Sequence, residues 1–246
     1  MKLTTKEYWD TGREKFTPYK VMDIPFSLEL KKYLEVDKNK SCVEIGAYPG
    51  TYLCYLAKTF GYQPTAIEYS TQCNHIEELL QFNGINKYEI LNQDFFSVKD
   101  LQFDIVTSFG FIEHFIDYES VIEKQIELIR KDGMLVLSVP FLGGMQGIIR
   151  QQAYKKEFLD KIYESHNLQA MNLNNLKKIL KRKSMEIVFA DYVLGTTVWF
   201  NWKDDCVRDD RRDFMRLANF MDKHLRHRLP SSRLWSPMIL LIAKKR

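Results

Sequence analysis

Two sets of residues have the types and spacing to hold a nucleotide, and a third could move a proton. The first is Glu44-Ile-Gly46-Ala47-Tyr48-Pro-Gly50. Glycines let backbone N–H groups approach a ligand closely, and a helix starting just beyond aims further unpaired donors at it. The second is Glu68, about twenty residues on, where a nucleotide-binding α/β unit places the carboxylate that accepts ribose hydroxyls. The third is the pair His114 and His166, whose imidazoles titrate near neutrality and suit general base work on a hydroxyl. Spacing separates the nucleotide classes. A dinucleotide fingerprint begun at Gly46 needs glycine at positions 48 and 51, which hold Tyr48 and Thr51, so hydride transfer with NAD is the weaker reading. An acidic-x-Gly-x-Gly-x-Gly frame is met by Glu44, Gly46 and Gly50, with Tyr48 at the middle glycine. A plain structural turn stays open for the same loop.

The elements that must position these residues follow from hydrophobic pattern. Cys42, Val43 and Ile45 read as a short buried strand, and Tyr52, Leu53, Tyr55, Leu56 and Phe60 restart on helical spacing. Residues 64–70 form a second strand. Ile76, Leu79, Leu80 and Phe82 mark a helix over 71–83 that Gly84 ends. Residues 88–92 and 101–108 are further strands, a helix carries Val121, Ile122, Ile126, Leu128 and Ile129, and 134–140 is a buried strand stopped by Pro140. Strict alternation predicts an α/β fold, Rossmann-like, with a mostly parallel sheet, helices on both faces and ligand at the carboxyl ends of the strands. Glu44 to Gly50, Glu68 and 108–114 all follow strand ends.

The frame around Glu44 resembles motif I of the class I S-adenosylmethionine-dependent methyltransferases. The run Phe103-Asp-Ile-Val-Thr-Ser-Phe-Gly-Phe-Ile-Glu-His-Phe115 resembles motif IV of their small-molecule branch, which places Glu-His just after the strand. The resemblance covers about residues 40–140 and implies seven strands, the last one antiparallel. It implies that Glu44 faces the cofactor's amino group, that Gly46, Ala47, Tyr48 and Gly50 wrap its methionine end, and that Glu68 binds both ribose hydroxyls. Tyr69 would flank the adenine, Asp94 and Phe95 would hold its amino group and ring, and Ser108, Phe109, Gly110 and His114 would line the pocket near the sulfonium. His114 and His166 are then the candidate bases, with a hydrogen-bonding wall role equally open for His114. There is no Asn/Asp-Pro-Pro-Tyr for nucleic acid bases and no strand-end pair of acids for a magnesium-dependent catechol-type site.

Outside this domain, residues 1–40 form a helical preamble broken by Pro18 and Pro25, in which Tyr8 and Trp9 are lid or packing aromatics. Helical insertions are expected at about 143–183 and 195–236. The first hinges at Gly143-Gly144 and includes a helix capped by Asn172 or Asn174. The second carries Trp199, Phe200 and Trp202, then a stripe of Phe214, Leu217, Met221 and Leu225 taken as core-facing. Its other face bears Arg211, Arg212, Lys223, Arg226 and Arg228 among Asp209, Asp210 and Asp213. That face is a solvated surface, a phosphate clamp for a nucleotide-linked or lipid-linked substrate, or a membrane-surface helix, the last weakened by the acids.

A net charge of +4 is too small to imply nucleic acid. The four cysteines, Cys42, Cys54, Cys73 and Cys206, form no C-x-x-C pair, so neither a metal centre nor a disulfide framework is expected. The longest late apolar run, 238–243, is too short to span a bilayer. A soluble, cytoplasmic methyltransferase is expected, acting by O-methylation on a small-molecule or glycan acceptor, with phosphorylated or nucleotide-linked acceptors and oligomers compatible. A non-catalytic cofactor-binding partner subunit and an NAD-dependent oxidoreductase are the alternatives.

Overall fold

The structure is a computed structural model and describes residues 2–11, 15–195, 206–225 and 229–246. Seven strands form one sheet in the order β3-β2-β1-β4-β5-β7-β6. They are β1 (Ser41–Ile45), β2 (Gln63–Ile67), β3 (Glu89–Leu91), β4 (Phe103–Phe109), β5 (Ile129–Pro140), β6 (Met185–Val193) and β7 (Met238–Lys245). Strands β1 to β5 pair in parallel, while β7 runs antiparallel to both β5 and β6. Strand β1 lies between β2 and β4, so chain order reverses there and a crevice opens at the carboxyl ends of β1 and β4.

Helices are numbered in chain order: α1 (Lys6–Asp10), α2 (Ser27–Tyr33), α3 (Thr51–Phe60), α4 (Asn74–Phe82), α5 (Tyr118–Glu127), α6 (Gly144–Ala153), α7 (Lys156–Ser165), α8 (Leu173–Arg182) and α9 (Arg212–Leu225). Both sheet faces are covered. One core cluster joins Val43, Ile45, Val106 and Leu137 to Val121 and Ile122 of α5 and to Leu176 and Leu180 of α8. The other joins Cys42, Ile105 and Val136 to Leu53 and Leu56 of α3, Leu79 of α4 and Leu30 of α2. Residues alternating along one strand thus supply opposite cores, as expected of a sheet buried on both sides.

Local chemistry explains most boundaries. Gly84 takes φ +81° just past α4, the left-handed position that a helix-ending glycine fills. The Asn172 side chain accepts from the backbone N–H of Asn174 and Asn175, so Asn172 is the cap of α8. Strand β5 departs from expectation by starting at Ile129, which pairs with Phe103 ahead of a register shift. Asp132 sits there at φ +64°, and Gly133 passes so close to the Asp104 carbonyl that a Cβ would lie 2.7 Å away. Residues 130–133, between the helix and the strand expected from the sequence, are therefore a bulge within β5.

The stripe on α9 is a correction. Met215 and Asp222 are the buried residues of that helix, while Leu217 and Met221 are exposed. Helix α9 lies against α6 rather than on the main core, and its inward face is turned by about 100° from the expected stripe. Its arginines pair locally, Arg211 with Asp210, Arg212 with Asp209 and Arg216 with Asp213, as a solvated face does. Trp199, Phe200, Trp202, Arg226 and Arg228 lie outside the described residues. The four cysteines are free thiols. Among the described residues no helix is long and apolar enough to cross a membrane.

Candidate active site

The glycine loop is shaped by its neighbours before any ligand is considered. Gly46 takes φ +70° and a Cβ there would sit 2.7 Å from the Phe111 ring, so the loop passes that ring only as glycine. Gly50, at φ +97°, is the N-cap of α3. Glu44 is buried at the end of β1, and its Oε2 accepts the backbone N–H of Leu53 at 2.7 Å. Burial pushes its carboxyl well above the ordinary value, with the Leu53 N–H opposing. Glu44 therefore ties β1 to the first turn of α3, and it is not among the residues that line the cavity beside the loop. The Tyr48 ring points away from that cavity, toward Phe16 and His75, so the departure from glycine leaves the cradle open.

Glu68 closes the loop from β2. Its Oε2 accepts from Tyr48 N at 2.9 Å and its Oε1 from Ser70 N at 2.8 Å, which leaves further lone pairs for ligand hydroxyls. The cavity beside it is lined by Gly46, Glu68, Tyr69, Asp94, Phe95, Gly110 and His114. Seven of the residues selected from sequence are thus brought together from the ends of β1, β2, β3 and β4. Glu44, Ala47, Tyr48, Gly50 and Ser108 are not on its wall; Ser108 is buried with its hydroxyl on Gln125 Oε1. Phe109 faces a second cavity.

The N-terminal segment forms the outer wall. Lys2 reaches Asp94 Oδ2 at 2.5 Å and lies over the Tyr69 ring. Leu3 N donates to the His114 carbonyl at 2.8 Å, and the Trp9 indole meets the His114 ring edge-on at 4.7 Å between centroids. The cavity left beneath is only about 80 Å³, several-fold below the size of a pocket for a ligand of nucleoside size.

The second cavity, about 430 Å³, is lined by Tyr52, Phe109, Gly110, Glu113, Ser138, Arg150, Tyr154, Phe158 and His166 among others. Gly110 belongs to both cavities, so they meet at the end of β4. At that junction stand Glu113, His114 and His166, whose ligating atoms lie within 4.8 Å of one another. His114 Nδ1 lies 2.7 Å from the Ser165 carbonyl and His166 Nδ1 2.8 Å from the Ile162 carbonyl. A carbonyl can only accept, so each Nδ1 carries the proton and each Nε2 carries a lone pair. Burial, then the neighbouring His166, pushes His114 down to about 4. His166 is also lowered, by burial against the Ile162 carbonyl and with help from Arg150. Burial raises the Glu113 carboxyl to about 8. Glu113 was missed as a site residue in the sequence reading, because one Glu beside one His on a short turn carries no periodic signal; only its burial singles it out.

The methyltransferase-domain family model matches residues 20–188. The chain belongs to the class I S-adenosylmethionine-dependent methyltransferases. The sheet order and antiparallel β7 are those of the family, and the family's cofactor is the nucleotide that this loop and Glu68 suit. No curated protein matches the methyltransferase, but solved structures share its fold. A candidate sarcosine dimethylglycine methyltransferase from Galdieria sulphuraria is 14% identical, with a TM-score of 0.59, over 89% of this chain and 83% of the other. The magnesium protoporphyrin IX methyltransferase of Synechocystis, with bound SAH, is 14% identical with a TM-score of 0.54 over 89% and 78%. The geranyl diphosphate C-methyltransferase of Streptomyces coelicolor is 9% identical with a TM-score of 0.60 over 89% and 76%. At such identities the likeness is one of fold.

Proposed function

We propose that this methyltransferase moves the methyl group to an oxygen of a small acceptor held in the cavity between α6, α7 and the end of β5. The observation that carries the reading is Gly110, which lines both cavities and so brings a cofactor on one side and an acceptor on the other to a common point. The bound cofactor supplies an electrophilic methyl on sulfur. On the protein side, Gly46 and Glu68 hold the nucleotide, and the N-terminal segment, 1–40, acts as a lid that lifts to admit it. Lid closure excludes water and fixes the in-line approach that displacement at carbon needs. The acceptor oxygen forms its bond to the methyl carbon as the S–C electron pair returns to sulfur. Its proton passes to His166, whose Nε2 lone pair is available at the cavity wall, while His114 serves as a wall residue of the cofactor side.

The acceptor cavity is walled mainly by aromatic and aliphatic carbon, with Arg150 as its cation. That pairing favours an apolar-bodied acceptor bearing a carboxylate or phosphate over an unmodified glycan. The test is calorimetric titration with S-adenosylmethionine and with NAD, followed by turnover on hydroxy acids and on matched amines. Glu68→Ala should weaken S-adenosylmethionine by about 100-fold, the scale of two charge-assisted hydrogen bonds. Equal affinity in the variant, or methylation confined to the amines, would refute the reading.

A further inference from the structure

The junction of the two cavities holds three groups that ordinary hydrogen bonding leaves unfinished. Glu113 is 1% exposed, yet its Oε2 has no hydrogen-bond partner among the described residues. It lies on the wall of the acceptor cavity. Leaving a buried carboxylate oxygen unpaired costs more than an ordinary lost hydrogen bond. Beside it stand two imidazoles fixed in the same tautomer by backbone carbonyls of one segment, Ile162 and Ser165. Fixing Nδ1–H on a backbone carbonyl and leaving the Nε2 lone pair unused is the outer-shell arrangement that metal-ligating histidines use, and His114 Nε2 lies 3.9 Å from Glu113 Oε1. The Ser165 hydroxyl, 2.9 Å from His166 Nδ1, adds a second constraint on that ring.

We propose that Glu113, His114 and His166 bind a divalent transition-metal ion through Oε2 or Oε1 and the two Nε2 atoms. Two imidazoles and one carboxylate select a borderline ion such as zinc, cobalt(II) or iron(II) over magnesium or calcium, which prefer oxygen. The ligand atoms lie up to 4.8 Å apart, and bonds of about 2.1 Å require roughly 3.4 Å between tetrahedral ligands. Binding of the ion therefore draws these atoms together by up to about 1.4 Å. Three protein ligands leave coordination open on the side of the acceptor cavity.

Arg150 lines the same cavity and opposes a second positive charge, while Glu113 offsets it. An acceptor whose oxygen sits on the ion and whose acidic group meets Arg150 satisfies both cations. This deepens the acceptor reading and rests on it for the role of the ion. An oxygen so bound loses its proton to water instead of to His166, then forms the O–CH3 bond as the S–C pair returns to sulfur. Binding of the ion itself is independent of that reading.

The experiment strips the full-length protein with chelator and titrates it with cobalt(II) and zinc, with S-adenosylmethionine titrated in parallel on the same sample. One cobalt per chain at micromolar affinity or better is expected, with visible d–d absorption and without the near-ultraviolet band that thiolate ligation gives. Glu113→Gln and His166→Gln should each weaken it by at least 10-fold, with thermal unfolding confirming that each variant is folded. If Glu113→Gln fails to fold, the His166→Gln titration decides. No saturable uptake by the wild-type chain, or uptake unchanged in the folded variants, overturns the proposal. Cofactor binding that persists in that event leaves the methyltransferase reading standing.

Discussion

The cavity beside Glu68 and the cavity beside Arg150, proposed above for cofactor and acceptor, share Gly110 but differ in the source of their polar groups. The first is assembled from the ends of four neighbouring strands, each contributing residues from the five that follow it. Its polar groups are held by the backbone, as Glu68 is by Tyr48 N and Ser70 N. The second is closed by α6 and α7, which follow β5 and arrive from outside the alternating pattern, against Phe109, Ser138 and Met238 of the sheet. Its groups, Glu113, Arg150 and His166, come from a short turn and two insertion helices. A cavity made of strand ends inherits its geometry from the sheet. One made of inserted helices is free to change its chemistry without disturbing the cofactor.

After the loss expected of Glu68→Ala, Arg150→Leu has the largest expected effect and is the sharpest test of that independence. Apparent KM for an acidic acceptor should rise roughly 10- to 100-fold, the worth of a charge-assisted hydrogen bond, while S-adenosylmethionine affinity stays within about twofold. Steady-state kinetics beside calorimetry separates the two, and an equal loss in both would show that the cavities are not independent.

A smaller effect belongs to the lid. Trp9→Ala removes the edge contact on His114 and the indole hydrogen bond to Thr4. Cofactor affinity should fall roughly 3- to 10-fold, within the range of one aromatic pair. Stopped-flow binding should show faster release, and a slower release would contradict the lid.

The smallest effect lies at the opposite end of the sheet, where stability alone is at stake. Asp104 Oδ2 accepts from Ser41 N, Ser41 Oγ and Arg130. Burial raises this carboxyl, but those bonds outweigh it and hold it below its usual 3.8. A depressed carboxyl stabilises the fold above its unfolded pKa, and the contribution is lost as pH falls through the folded one. Asp104→Asn should therefore lower Tm by about 2–4 °C at neutral pH. The difference from wild type should close below about pH 3.8. A difference that persisted in acid would assign the effect to packing.

Legibility in sequence followed the same division. The strand-end residues could be read because a buried strand is a short apolar run, and the glycine or acid that breaks it marks the edge of the sheet. Gly46, Glu68, Tyr69, Asp94, Phe95, Gly110 and His114 were named in this way or through the family resemblance, and all line one cavity. The role of Glu44 as a tie between β1 and α3 was not legible, since a motif names a residue and not the direction of its carboxylate. The α9 stripe was misread because an amphipathic helix shows that it has an apolar side without showing which neighbour that side meets. His166 could be named from its type, but its partners Glu113 and Arg150 carry no spacing that links them.

By itself, the sequence determined the alternation of strands and helices and the sheet edge at which the marked residues gather, because these depend on contacts within a strand, a turn or one βαβ unit; the class of cofactor came from the family resemblance those residues carry. Only the tertiary structure decided what meets at Gly110. The junction joins Glu113 to His166, more than fifty positions away, and to Arg150 between them. Those residues meet through packing between helices and sheet, and such packing leaves no period in the chain to read.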